Sequence, residues 1–124
     1  MKRDMDLVRL MLLRTEAIGV DEEEAKRLHA ECEKYDERLR AHHIAIMMEA
    51  GLVAGFTTND ARGTLAKGAI TRLTWQGHEF LDAARNDTTW RKAKDTFFKP
   101  AVAWTFGILT EFLKAEAKRH AGIP

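Results

Sequence analysis

The sequence predicts a mainly α fold: a winged helix-turn-helix with a two-stranded wing and additional C-terminal helices. Three observations carry this expectation. Glu49-Ala-Gly-Leu-Val-Ala-Gly55 stops a helix at Ala-Gly and runs directly into a short apolar strand. Ala69-Ile-Thr-Arg-Leu-Thr74 alternates apolar and polar side chains, as a returning strand does. Leu73-Thr-Trp-Gln-Gly77 then opens a new helix, with Thr74 placed to cap it. At 124 residues the chain is expected to be a single domain. Its winged-helix core would cover about residues 3–85 and a helical extension about residues 87–121.

The first helix is expected from about Asp4 to Ala17. Met5, Leu7, Val8, Met11, Leu12 and Ile18 form its apolar stripe, and Gly19 ends it. Asp21 with Glu24 reads as a capping box for a second helix, in which Ala25, Leu28 and Cys32 keep helical spacing. Asp36 caps a third helix ending at Gly51, with Leu39, His43, Ile46, Met47 and Ala50 as its core face. Ala41, Ile44, Ala45 and Met48 lie off that face. Burial under the C-terminal helices is the simplest cover for them.

Leu52 to Phe56 is read as a strand, Thr57 to Lys67 as a polar loop, and Ala69 to Thr74 as the partner strand. The helix Trp75 to Ala84 would pack through Trp75, Phe80 and Leu81. Asn86-Asp87 breaks it, and Asp87 or Thr88 starts the next, Thr89 to Lys99. Pro100 suits the first turn of a last helix reaching about Ala121, closed by Gly122.

Composition narrows the function. Twenty Lys and Arg against nineteen Asp and Glu leave a net charge of +1, so any basic surface must be local. Cys32 is the single cysteine and fits a reducing compartment. The N-terminus has no signal-peptide pattern, and the longest apolar run, Ala101 to Leu113, is too short to span a bilayer. A cytoplasmic protein without membrane contact is expected. His29 and Cys32, with His42 and His43 nearby, lack the paired spacing of a zinc site, so no metal is assigned. Neither a nucleophile elbow nor a phosphate-binding glycine loop is present; no cofactor and no enzymatic activity are expected.

Two kinds of partner fit. Duplex DNA would meet Arg38, Arg40 and Ile44 on the third helix and Arg62 and Lys67 in the wing, since guanidinium and ammonium groups bind phosphate and base edges. Against this, charge on the third helix is slightly negative from Asp36 to Glu49. The other candidate is a host protein, met by the acidic Glu22, Glu23 and Glu24 and by the apolar tail at Trp104, Ile108 and Phe112. That tail, with Val102, Phe106, Leu109 and Leu113 on an adjoining stripe, either folds back over the first helix or pairs two copies. A homodimer through the C-terminal helices is the reading taken. Arg85, Arg91, Lys92, Lys94 and Lys99 add a basic cluster near the start of the extension.

The opening Met1-Lys-Arg-Asp-Met-Asp-Leu-Val8, the block His43-Ile-Ala-Ile-Met-Met-Glu-Ala-Gly-Leu-Val53 and the block Leu73-Thr-Trp-Gln-Gly-His-Glu-Phe-Leu-Asp-Ala-Ala-Arg-Asn-Asp-Thr-Thr-Trp-Arg-Lys-Ala-Lys94 resemble the domain of unknown function 2513. That family comprises small proteins of bacteria and their phages. The resemblance implies a winged-helix-like fold and a phage or prophage setting, but no reaction. Asp21 to Lys34 and Phe97 to Phe106 depart from the pattern. The leading expectation is therefore a small phage or prophage DNA-binding regulator. The alternative is an interaction module, such as a phage factor that binds and inhibits a host defence protein.

Overall fold

The computed structural model describes residues 1–122. In chain order the elements are α1 (Met5–Ala17), α2 (Glu22–Cys32), α3 (Glu37–Glu49), β1 (Val53–Asn59), β2 (Leu65–Leu73), α4 (Trp75–Ala84), α5 (Asp87–Phe97) and α6 (Phe106–His120). The protein is thus mainly helical, with one two-stranded antiparallel sheet among the described residues. Two compact units divide the chain, Met1–His78 and the part from Glu79 onward, so the division falls inside α4.

The first three helices each start on a carboxylate. Asp4 accepts the N–H groups of Asp6 and Leu7, Asp21 that of Glu24, and Asp36 those of Arg38 and Leu39. Such caps satisfy N–H groups left open by the first turn, each worth about 1 kcal/mol. The box expected at Asp21 is only half formed. Glu24 turns to Arg27, while Glu22 reaches back to accept the Gly19 N–H at 2.7 Å.

Met5, Leu7, Val8, Met11 and Leu12 are buried along α1, which packs on α2 and β2. Ile18, expected in that stripe, is instead an exposed helix cap. Ala25, Leu28 and Cys32 face inward from α2 as their spacing requires. Burial in an apolar setting pushes the Cys32 thiol above its ordinary pKa, leaving it protonated and inert at neutral pH.

The core face of α3 is rotated from the expected one. Ala41, His43, Ile44 and Met47 are buried, whereas Leu39 and Ile46 are half-buried and Ala50 is exposed. Both strands lie against this helix, and the Ile44 side chain reaches the backbone of Gly68 in β2. The hairpin therefore covers Ile44, and a cover by the C-terminal helices is not needed.

His43 is fully buried. Its Nε2 accepts the Asp4 N–H at 2.8 Å, so its Nδ1 carries the proton and donates to the Leu39 carbonyl at 2.8 Å. One side chain thereby joins the start of α1 to α3.

The strands are longer than expected and the loop correspondingly shorter. Pairing runs from Val53↔Leu73 to Asn59↔Leu65, and β2 inserts two unpaired residues, at Thr71 and Ala66. Thr57, Thr58 and the run Ala66-Lys67-Gly68 resemble a polar loop, yet threonine suits a pleated surface and the pairing recruits them. Residues 60–64 alone form the tip.

In the second unit α5 is capped not by Asp87 or Thr88 but by Asn86, whose side chain accepts the Thr89 N–H at 3.0 Å. Pro100 does not open the last helix. Thr105 caps it instead, accepting the Ile108 N–H, and residues 98–104 form a connection in which Phe98 meets Trp104 with ring centroids 5.0 Å apart. Phe80 stacks on Phe106, and Phe97 meets Phe112 edge to face. Trp75, expected to pack, is exposed at the start of α4.

Candidate nucleic-acid interface

The hairpin gathers the cations the sequence scattered over a loop and one strand. Side chains alternate across a strand, and Val53, Thr57, Gly68 and Leu73 face α3. The opposite face therefore presents three cross-strand pairs in a row: Ala54 with Arg72, Phe56 with Ala69, and Thr58 with Lys67. No carboxylate occupies any of these six positions. Lys67 stands on β2 rather than in a loop, and Arg62 projects from the tip. Among the described residues, neither Arg62 nor Lys67 is held in an ion pair.

Asp60 would offset this charge but is fully engaged. Its carboxylate accepts the N–H groups of Arg62 at 2.9 Å and Thr64 at 3.1 Å, and pairs with Arg38 at 2.9 Å. The Thr64 amide foremost, then that of Arg62, hold its carboxyl below the ordinary carboxylate range, with Arg38 adding to the effect. Arg38 also donates to the Leu65 carbonyl at 3.1 Å. It is a strut between α3 and the hairpin tip, a role that its place in the sequence did not announce.

The other two candidates on α3 fare differently. Arg40 folds back, donating to the Tyr35 carbonyl at 3.1 Å with Glu33 at 3.9 Å. Ile44 is 3% exposed beneath the hairpin and is removed from the candidate contacts, because a side chain buried there cannot reach a ligand. The outward face of α3 carries Arg38, His42, Ala45 and Glu49, and its one cation, Arg38, is already paired with Asp60. A helix with that face has little to offer phosphate. Arg72 and Phe56, which sequence reasoning passed over, complete the surface. Simple alternation would put Arg72 and Lys67 on opposite faces of β2; the unpaired Thr71 brings them onto one face, and no local pattern announces it.

Residues assigned to a protein partner are partly spent within the chain. Glu22 caps Gly19, and Glu24 is paired with Arg27, which lowers its pKa; Glu23 is exposed. Trp104 and Phe112 are half-buried against Phe98 and Phe97, leaving Ile108 exposed. In the basic cluster, Lys92 meets the buried carboxylate of Glu116 at 3.4 Å, and Arg119 meets its other oxygen at 3.2 Å. Among the described residues, no three of His, Cys, Asp and Glu converge to hold a metal. His29 pairs with Glu33, and both ring nitrogens of His43 are occupied by backbone groups. No helix among these residues is long and apolar enough to cross a membrane.

Comparison with known proteins places this arrangement in a family. A protein of Haemophilus influenzae, described as uncharacterized, is 36% identical over 97 residues, spanning 77% of this chain and 78% of its own. No solved structure matches the chain. Residues 2–103, from the start of the chain through α5, match the family described as hypothetical protein (DUF2513), and the chain belongs to that family.

Proposed function

We propose that the first unit is a winged helix-turn-helix that binds duplex DNA through its hairpin, and that the protein is a phage or prophage regulator rather than an enzyme. The observation that carries this reading is the outer hairpin face. Arg62, Lys67 and Arg72 project from one ribbon, and the nearby carboxylate Asp60 is neutralised by Arg38. Cations so placed displace counterions from phosphate, which supplies most of the affinity for DNA.

In this reading α3 supports the wing and the wing makes the contact. Arg62 and Lys67 remain contacts, Arg72 joins them, and Arg38 acts by holding the tip. A second copy joined through α6, where Ile108 is exposed, would double the surface and bring weak single contacts to a useful affinity.

The test is binding of the full chain to a mixed-sequence duplex pool across a salt series, with mass followed by light scattering. Wild type should bind with a steep salt dependence, and Arg62→Glu with Lys67→Glu and Arg72→Glu should abolish binding while leaving the fold intact. Equal binding by the triple variant, or none by wild type at low salt, would sink the proposal. The latter outcome would turn attention to a protein partner at Glu23 and Ile108.

A further inference from the structure

Phe56 sits at the centre of the outer hairpin face and is 56% exposed. Three features put it there. Its cross-strand partner is Ala69, too small to cover a ring. The neighbouring Gly55 cannot be exchanged for a bulkier residue, since a Cβ would collide with the Ala69 carbonyl oxygen. Finally, β2 bulges at Thr71, whose Oγ1 donates to the Ala54 carbonyl at 2.9 Å and fixes the twist beside the ring. Among the described residues, Phe56 makes no ring contact. A phenyl group suits a strand, but more than half of this ring's surface is left to solvent and adds nothing to the core.

We infer that Phe56 is a wedge that enters a base step from the minor groove and bends the duplex. Its occupant is identified by charge. Arg72 stands one cross-strand pair to one side of the ring and Lys67 one pair to the other, each roughly 7 Å along the ribbon. The minor groove is about 6 Å wide, so a ring directed into it leaves flanking cations near the phosphates on its two lips. An apolar wedge between bases, secured by cations on the backbone, is how minor-groove proteins kink DNA. The inference rests on the DNA reading above but has its own failure mode.

The experiment uses the full chain and a mixed-sequence duplex of about 30 base pairs, the length of an ordinary bent site, carrying a donor and an acceptor at its ends. Saturating wild type should raise energy transfer. Phe56→Ala should abolish that rise and weaken binding roughly tenfold, as loss of one aromatic–base contact does, with the salt slope unchanged. Phe56→Leu, still an apolar wedge, should retain the bend. Circular dichroism should find all variants folded, because the ring is outside the core.

If Phe56→Ala bends the duplex as wild type does, or if wild type binds without bending, the wedge is overturned while the DNA reading stands. If wild type fails to bind duplex at low salt, both fall.

Discussion

Asp60 and His43 are small polar residues that organise much more chain than their size suggests. Asp60 closes the hairpin tip and, through Arg38, fastens it to α3. Its depressed pKa means that its contribution is fully present above the ordinary value of 3.8 and fades as pH falls through the lower folded value. In NMR titrations the amide shifts of Arg62 and Thr64 should therefore move with a midpoint below 3.8. Arg38→Ala should raise that midpoint only part of the way, since the two amides are the larger causes. A wild-type midpoint at or above 3.8 would disprove the turn. His43 was legible as a core residue from its spacing, but its bond to Asp4 lies 39 residues away and no local pattern announces it. His43→Leu should leave the half-buried Asp4 N–H without its partner, at about 1 kcal/mol in urea unfolding. Unchanged stability would mean that the N-terminus is held by other groups.

At the scale of elements, the two sequence blocks that pointed to this fold turn out to touch. Gly51 ends α3 with a φ of +74°, where a side chain would be strained. Thr74 then donates its N–H to the Leu52 carbonyl at 3.0 Å and its hydroxyl to the Gly51 carbonyl, while Oγ1 accepts the Gly77 N–H at 3.0 Å. One threonine thus ends α3, closes the base of the hairpin and caps α4. Gly77 completes the joint, because a Cβ there would collide with the Leu52 carbonyl oxygen. Gly77→Ala should cost at least about 2 kcal/mol, as forced overpacking does. Gln76→Ala, one residue earlier and exposed, should change thermal stability by less than about 0.5 kcal/mol. Comparable losses for both would show that the collision is relieved by helix movement. Caps at Asp4, Asp21, Asp36 and Thr74 were readable because their hydrogen bonds are local. The strand ends and the start of α6 were not. Thr57–Asn59 and Leu65–Gly68 become strand by pairing with each other, and Thr105 takes the cap at a point where Pro100 offered a plausible earlier start.

For the whole molecule, a net charge of +1 argues against a broad electrostatic attraction to nucleic acid, so the proposed binding requires the hairpin to act as a local patch. That condition has a measurable signature. If log K is plotted against log salt, the slope counts the phosphates neutralised, close to one for each cation that makes a contact. Arg62→Ala, Lys67→Ala and Arg72→Ala should each flatten the slope by about one and weaken binding to all sequences alike, as phosphate contacts do. Arg40→Ala should leave the slope unchanged, because its guanidinium is half-buried between the Tyr35 carbonyl and Glu33, whereas Arg72, which donates to the neighbouring Leu73 carbonyl at 3.3 Å, stays exposed. Arg38→Ala is the informative intermediate. It removes a strut rather than a contact, so affinity should fall through loosening of the tip while the slope stays near that of wild type. A slope that responds to Arg38 and Arg40 but not to Arg62, Lys67 and Arg72 would move the interface from the hairpin back to α3.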